Sequence, residues 1–266
     1  MKGDGMGDQD PIRHVIVLML ENRPFDHMLG GLQGEISGLE GVDTGVPPRT
    51  NYCQGVTYNQ APGAAYTLNY DPHHEYEHVR MQLSDKNGGF VEDLALSYPD
   101  STQSDRAEIM KYHAAGALPA LHALARNFTV CDHWFASVPG PTWTNRFFVH
   151  SGTSIGRVAM PNGLIDGNWH WYDQVTLYDR LNDSRKRWSF YYGDIPQSLI
   201  LVHQTEPHNA ARYHKMAQFY QDAAGTEADF PDFVFIEPAY YQPGANDDHP
   251  PHDLRAGQRL IAEVYN

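Results

Sequence analysis

The stretch HVIVLML (14–20), followed directly by ENRP (21–24), decides the fold. A run that is apolar on both faces is typical of a strand buried in a parallel sheet, because helices cover both sides of such a sheet. This run ends abruptly in a carboxylate, a carboxamide and a guanidinium. Ligands of open α/β sheets bind beyond the carboxyl ends of the strands, so the sequence predicts that this strand leads Glu21 and Asn22 into a site.

The rest of the chain repeats the alternation of short apolar runs with stretches of helical period. The further apolar runs are 128–136, 187–193 and 232–239, and the helical stretches are 74–83, 118–128, 175–183, 212–223 and 253–266. Strands alternating with helices predict an α/β fold with a mostly parallel sheet. The last helical pattern has neither a glycine stop nor a following strand. We therefore expect residues 1–266 to be a single domain that is incomplete at its C-terminus.

Composition limits the class of protein. With 33 acidic and 19 basic residues the net charge is −14, which argues against a large nucleic-acid-binding surface. No apolar run approaches the ~20 residues of a transmembrane helix. The N-terminus lacks the apolar core of a signal peptide, so a cytoplasmic protein is expected, or a secreted or periplasmic one if the N-terminus has been trimmed. The oligomeric state has no signature in the sequence.

Glu21 and Asn22 form the first of four polar clusters. Carboxylate and amide oxygens are hard ligands that suit a divalent cation. An equally open reading is that they cap the next short helix or form an Asx turn.

The second cluster is SVPGPTWTNRFFVHSGTS (137–154). Thr142 follows a Gly-Pro turn and precedes a helical stretch, so its hydroxyl is expected near a helix N-terminus, where backbone N–H groups favour a phosphate. A hydroxyl beside a metal ion can lose its proton and act as a nucleophile. A threonine in this position is also a common N-cap, and Ser137, Thr144 and Ser151 have the same chemistry.

Histidines dominate the other two clusters. In YDPHHEYEHVRMQ (70–82), His74 and His78 are four residues apart and would share one helix face, as a metal-binding or phosphate-binding pair. A solvated histidine face is the alternative. In NDDHPPHD (246–253), His249 lies in a loop rich in oxygen and imidazole ligands, which favours a functional site.

The sequence resembles a known family when these motifs are taken together and in order. The motifs are HVIVLMLENRPFDHMLG (14–30), DPHHEYEHVRMQ (71–82), GPTWTNRFFVHSGTS (140–154), TLYDRLNDSRKRWSFYYGDIP (176–196) and NDDHPPHDLRAGQRLIAEVYN (246–266). From about residue 12 to residue 266 they are similar to the phosphoesterase family of phospholipases C and acid phosphatases. The resemblance implies an alkaline-phosphatase-like α/β/α sandwich, a divalent metal ion, and a phosphate-ester substrate that includes phospholipids in many members.

The resemblance also implies roles for individual residues. Glu21 and Asn22 match the first metal ligands, Thr142 matches the nucleophile, and His249 matches an active-site histidine. In the same way His74 matches a histidine near the phosphate. The implied mechanism is in-line attack by the Thr142 hydroxyl on phosphorus, protonation of the leaving alkoxide by a histidine, and hydrolysis of the phosphothreonine by water.

Two further residues of the GPTWTNR motif, Asn145 and Arg146, are expected to contact the substrate.

Two departures from the family pattern matter. Thr144 stands where members usually carry proline, and the chain stops before the acidic stretch that completes the metal site in the family. The second departure supports an alternative of another class, a truncated and non-catalytic remnant that binds phosphorylated ligands or a partner.

A sulfatase-like or phosphoglycerate-mutase-like enzyme on a similar fold is a third reading, ranked last. The chain lacks the C/S-x-P-x-R setting of the sulfatase nucleophile.

Overall fold

The computed structural model describes residues 11–42, 47–160, 172–241 and 243–266. These residues form two compact units, each assembled from segments that are distant in sequence. The first unit comprises the chain up to Met19 together with Trp171–Ala239, and the second comprises Leu20–His170 together with Tyr240–Asn266, within the described residues.

The first unit contains the strands β1 (Val15–Leu18), β6 (Trp188–Tyr192), β7 (Tyr213–Lys215) and β8 (Phe233–Glu237). It arranges them in one sheet in the order β1-β8-β6-β7, in which every neighbouring pair is parallel. Its helices are α6 (Leu177–Asp183), α7 (Pro207–Ala210) and α8 (Met216–Ala223), with 3-10 turns at Gln197–Ile200 and Val202–Thr205. Parallel neighbours need crossover connections, which these helices supply.

Helices cover both faces of this sheet. Side chains alternate between the faces of a strand, so Trp188 and Phe190 project from one face of β6 and Tyr191 from the other. Tyr178 of α6 packs on the first face, with its ring 4.6 Å from that of Trp188. Phe219 of α8 packs on the second, 5.3 Å from the ring of Tyr191. Strand β6 is therefore buried on two sides, as predicted. Strand β1 is not, because it lies at the edge of the sheet, where Val15 and Ile16 are 45% and 43% exposed.

Among the described residues, the second unit contains several short strands and helices. The strands are β2 (Thr50–Cys53), β3 (Val56–Asn59), β4 (Ala61–Pro62) and β5 (Lys111–Tyr112). The helices are α1 (Tyr76–Gln82), α2 (Phe90–Ser97), α3 (Gln103–Glu108), α4 (Pro119–Asn127), α5 (Thr142–Ser151) and α9 (Leu254–Tyr265), with a π-helical turn at Asp26–Gly30 and a turn at Ser84–Asn87. Met28, Leu118 and Leu254 form one of its buried clusters, which joins the π-helical turn to α4 and α9.

The α/β class with a mostly parallel sheet is confirmed, and β1, β6 and β8 lie within predicted apolar runs. Two predicted elements are wrong. Residues 128–136 form no strand, and Trp134 and Phe135 in this run are exposed, because Asp132 and His133 interrupt the apolar pattern. Residues 213–215, assigned to a helical stretch, form β7 and pair with β6.

Among the described residues, no helix combines the length and apolar character needed to cross a membrane. The single domain spanning residues 1–266 stays a prediction.

The core of the sheet allows a test of the first unit. Phe235 in the central strand β8 is 1% exposed and stacks on Phe190 at 5.1 Å. Phe235→Ala should lower the free energy of unfolding by about 3–5 kcal/mol, because it removes buried apolar contacts and leaves a cavity. Ile195→Ala, at an exposed position of the same unit, should change it by less than about 0.5 kcal/mol. Equal effects in urea unfolding would contradict the assigned core.

Candidate active site

All of the site residues predicted from the sequence lie in the second unit. They come from four segments: the chain after β1, the segment before α1, helix α5, and the loop before α9. These residues are Glu21, Asn22, His74, Thr142, Asn145, Arg146 and His249.

Glu21 is held by an ion pair with Arg146. Nη2 of Arg146 lies 3.0 Å from Oε2 of Glu21, and the two side chains are 3% and 12% exposed. The guanidinium also lies over the ring of Tyr240, 5.4 Å from its centroid. Charges this deeply buried require partners, because an isolated one would lose its hydration without compensation. The structure therefore brings together a predicted metal ligand and a predicted substrate-binding residue.

The loop before α9 is attached to the same segment. The backbone N–H of Glu21 donates to the carbonyl of Asp247 at 2.8 Å. The Asp247 carboxylate, 2% exposed, lies 2.7 Å from Nδ1 of His252 and accepts from the backbone N–H of His249 at 3.3 Å. Burial raises the pKa of Asp247, and the negative charge of Glu21 adds to this effect. Asp247 thus links the Glu21 segment to the histidine loop.

Asp248 is a second buried carboxylate in this loop. Burial raises its pKa to about 7, against the opposing effect of Arg23, whose Nε donates to the Asp248 carbonyl at 2.8 Å. Its backbone has φ 66°, a left-handed conformation that aspartate tolerates better than most residues. Gly257 leaves room for the carboxylate, since a Cβ there would overlap Oδ1 of Asp248. That oxygen has no hydrogen-bond partner among the described residues.

His74 and His249 pack edge to face, with their ring centroids 5.0 Å apart. Nδ1 of His74 lies 3.1 Å from the Pro72 carbonyl, and Nδ1 of His249 lies 2.6 Å from the Pro250 carbonyl. A carbonyl only accepts, so each ring carries hydrogen on Nδ1 and leaves Nε2 for proton exchange. Asp71 completes the group: Asp71, His74 and His249 each offer a ligand atom, and these atoms lie within 4.8 Å of one another.

The predicted pairing of His74 with His78 on one helix face is wrong. Helix α1 begins at Tyr76, so His74 precedes it and has no helical relation to His78. His74 instead contacts His249, and the ring of His78 lies 4.5 Å from that of His73.

The start of α5 is fixed by Asn145. Its side-chain oxygen accepts from the backbone N–H of Val138 at 3.0 Å, and its amide nitrogen lies 3.0–3.2 Å from the carbonyls of Val138, Gly140 and Pro141. The loop is therefore fastened to the helix that follows it. In this structure the amide of Asn145 orients the loop before Thr142, while its predicted contact with substrate stays a prediction.

Thr142 is the first residue of α5, after Pro141 at the N-cap. It is half-buried, and its hydroxyl makes no hydrogen bond among the described residues. Thr142 and Arg146 are one helical turn apart and share a face. Because Arg146 contacts Glu21, this places Thr142 on the side of α5 that carries the ion pair.

The three other hydroxyl groups considered as nucleophiles lie in environments that differ from that of Thr142. Thr144 is fully buried and donates to the Pro141 carbonyl at 2.9 Å. Ser151 lies 2.7 Å from the Phe147 carbonyl at the far end of the helix, and Ser137 is exposed in the preceding loop. Thr142 is therefore the hydroxyl in the first turn of α5 that is not committed to a backbone carbonyl.

The donor atoms near Glu21 suit a hard divalent cation. Oε2 of Glu21 faces Arg146, whereas Oε1 makes no hydrogen bond among the described residues, and the half-buried Asn22 offers an amide oxygen nearby in sequence. Oxygen ligands of these two kinds are those that Mg²⁺ and Ca²⁺ prefer. Glu21 and Asn22 thus fit the role of metal ligands, with Arg146 balancing part of the carboxylate charge.

Sequence reasoning overlooked two residues of this unit. Asp71 belongs to the histidine group, and its position directly before Pro72 and the two histidines was the available signal. His150 of α5 is 1% exposed, and burial lowers its pKa to about 3, with Arg146 adding to the effect. A histidine held neutral beside an arginine has no signature in the sequence, because both burial and proximity arise from the fold.

The raised pKa of Asp248 predicts a pH dependence of stability. The folded state keeps this proton up to about pH 7, whereas the unfolded state loses it near pH 3.8. Between these values the folded state binds more protons, so this group lowers the free energy of unfolding as the pH rises. Asp248→Asn should remove that contribution, on the order of 2–4 kcal/mol between pH 4 and 7, in urea unfolding with chelator present.

The matched control is Asp85→Asn, at an exposed position of the same unit whose left-handed backbone asparagine also accepts. It should retain the wild-type slope. An unchanged slope in Asp248→Asn would contradict the assignment.

Comparison with known proteins identifies the family to which this chain belongs. A model of the Phosphoesterase family matches residues 12–266. Non-specific phospholipase C6 of Arabidopsis thaliana is 34% identical, over 97% of this chain and 50% of its own length. Non-specific phospholipase C1 of the same plant is 32% identical over 97% of this chain, and a hemolytic phospholipase C of Pseudomonas aeruginosa is 28% identical over 70%. The chain spans about half the length of the plant relatives, and it belongs to the Phosphoesterase family.

Proposed function

We propose that this chain contributes catalytic residues to a hydrolase that cleaves phosphate esters, with Thr142 as nucleophile and a divalent metal ion as cofactor. The observation that carries the proposal is the arrangement within the second unit. Glu21 contacts Arg146, His74 contacts His249, and the Glu21 backbone contacts the loop that holds His249. Segments far apart in sequence thus supply a hydroxyl, a carboxylate, a guanidinium and two imidazoles to one unit.

Thr142 attacks phosphorus in this proposal. Its hydroxyl loses its proton to solvent, Oγ1 forms the new bond to phosphorus as the bond to the leaving alkoxide breaks, and water later cleaves the phosphothreonine. Support comes from its place in the first turn of α5, where unpaired backbone N–H groups attract phosphate oxygens. A cation bound to Glu21 and Asn22 would supply Lewis-acid stabilisation of the charge that develops on the phosphoryl oxygens.

The remaining residues orient the substrate and move protons. Nε2 of His249 or His74 takes up a proton from solvent and delivers it to the departing alkoxide, since Nδ1 of each ring faces a carbonyl. Arg146 contributes positive charge beside the site while it holds Glu21. Asn145 keeps the loop before Thr142 in place through its bonds to three carbonyls.

The names of the relatives indicate the substrate class. Several are phospholipases C, whose substrates by name are phospholipids, so we propose a phospholipid phosphodiester as substrate. A phosphomonoester, the substrate of an acid phosphatase, is the second candidate. The activity is proposed for the protein as a whole, with residues 1–266 within its catalytic domain.

Removal of the nucleophile is the direct test. Thr142→Ala should reduce turnover of a chromogenic phosphodiester by at least about 10³-fold, because the attacking hydroxyl is lost. Thr142→Ser should retain measurable turnover, since it keeps a hydroxyl at the same position. Ser137→Ala, in the loop five residues earlier, is the matched control and should remain near wild type.

Parallel assays with a chromogenic phosphomonoester separate phospholipase from phosphatase chemistry. Normal turnover by a folded Thr142→Ala variant would exclude this nucleophile. Binding of phosphorylated ligands without turnover, in the wild-type protein with added divalent metal ions, would favour the non-catalytic binding protein instead.

Metal dependence is tested at Glu21. Chelation should abolish turnover, and a divalent cation should restore it. Glu21→Gln keeps the size of the side chain but removes its charge, and should lower kcat/KM by about 10²–10³-fold. Glu35→Gln is the control, because Glu35 forms an ion pair with Arg126 at a more exposed position of the same unit. Chelator-resistant turnover, or equal losses in the two variants, would argue against a metal site at Glu21.

A further inference from the structure

A second group of potential ligands lies beside the candidate active site, at the start of α1. His73, Glu75 and His78 each offer one ligand atom, and these three atoms lie within 4.8 Å of one another. The rings of His73 and His78 are 4.5 Å apart, and Nδ1 of His73 lies 3.4 Å from Oε2 of Glu75. The side chains are 35%, 58% and 34% exposed for His73, Glu75 and His78, so an ion can reach them from solvent.

His74 does not belong to this group although it lies between two of its members. Glu75 has extended backbone, with φ −67° and ψ 159°. Side chains alternate in direction along an extended segment, so His73 and Glu75 project to one side and His74 to the other. His78 joins His73 from the first turn of α1, while His74 packs on His249.

A buried carboxylate orients His78. Nδ1 of His78 lies 2.7 Å from Oδ1 of Asp93 in α2, and the Asp93 side chain is only 3% exposed. The second oxygen of Asp93 accepts from Nε2 of Gln82 at 2.7 Å, and the same nitrogen lies 2.7 Å from the His73 carbonyl. Both oxygens of Asp93 are thereby satisfied. An imidazole that donates from Nδ1 to a carboxylate directs the lone pair of Nε2 outward, which is the usual arrangement behind a metal-bound histidine.

We propose that His73, Glu75 and His78 bind a transition-metal ion of the zinc type, and that Asp93 is the positioning residue for His78. Two imidazole nitrogens and one carboxylate oxygen are a ligand set that zinc accepts, with solvent in the remaining position. Imidazole suits zinc, cobalt, nickel and copper, whereas the oxygen donors at Glu21 and Asn22 suit magnesium or calcium. The two ligand sets therefore differ in the metals they select.

The experiment uses the full chain, freed of metal by chelation and titrated with Co²⁺, whose visible absorption reports direct ligation. Zn²⁺ should then displace the cobalt and bleach the spectrum. Wild type should bind one Co²⁺ in this way, and His73→Ala and His78→Ala should each lose the signal. Asp93→Asn should weaken binding about 10–100-fold without removing a ligand. Circular dichroism checks that each variant is folded.

Matched controls separate this site from the others. His208→Ala removes an exposed histidine that also lies beside a glutamate, Glu206, and should leave the spectrum unchanged. Glu21→Gln and His249→Ala should also leave it unchanged. The experiment measures metal binding and not turnover. Its result therefore tests this proposal independently of the proposed phosphoesterase activity.

Three results would overturn the proposal. The first is the absence of a cobalt spectrum in the folded wild-type chain. The second is a spectrum that persists in folded His73→Ala and His78→Ala variants. The third is a spectrum that is lost in His249→Ala, which would place the ion on the group of Asp71, His74 and His249.

Discussion

The ion pair between Glu21 and Arg146 is the constraint on which the candidate site depends. It joins residues 125 positions apart in sequence, with N–O separations of 3.0 and 3.3 Å. Both groups are largely buried, and loss of one partner of such a pair typically costs about 3–5 kcal/mol. The position of α5 relative to the segment that follows β1 is thereby fixed.

Several features follow from that position. Thr142 lies one turn before Arg146, so it shares a face of α5 with the residue that contacts Glu21. Asn145 fastens the loop that leads into the helix, and Asp247 connects the backbone of Glu21 to that of His249. The result is a continuous set of contacts from the proposed nucleophile helix to the proposed acid, built within one compact unit.

The parallel sheet could be predicted from the sequence because β1, β6 and β8 are short apolar runs flanked by polar residues. The error at 128–136 arose because Asp132 and His133 interrupt the apolar pattern of that run, and β7 was overlooked because three residues are too few to show a period of two. The site residues were found through an ordered set of motifs. The separation of His73 and His78 from His74 depends on where α1 begins, which the periodicity of histidines alone does not determine.

The central claim is that Thr142 becomes covalently bonded to phosphorus during turnover. The most direct measurement is mass spectrometry of the protein quenched during steady-state hydrolysis of a phosphodiester, followed by assignment of the modified peptide. The account predicts a phosphoryl adduct, carrying the retained ester group, on Thr142, and its absence in Thr142→Ala. An adduct on Ser137, Thr144, Ser151 or a histidine, or sustained turnover with no adduct in a folded Thr142→Ala variant, would contradict it.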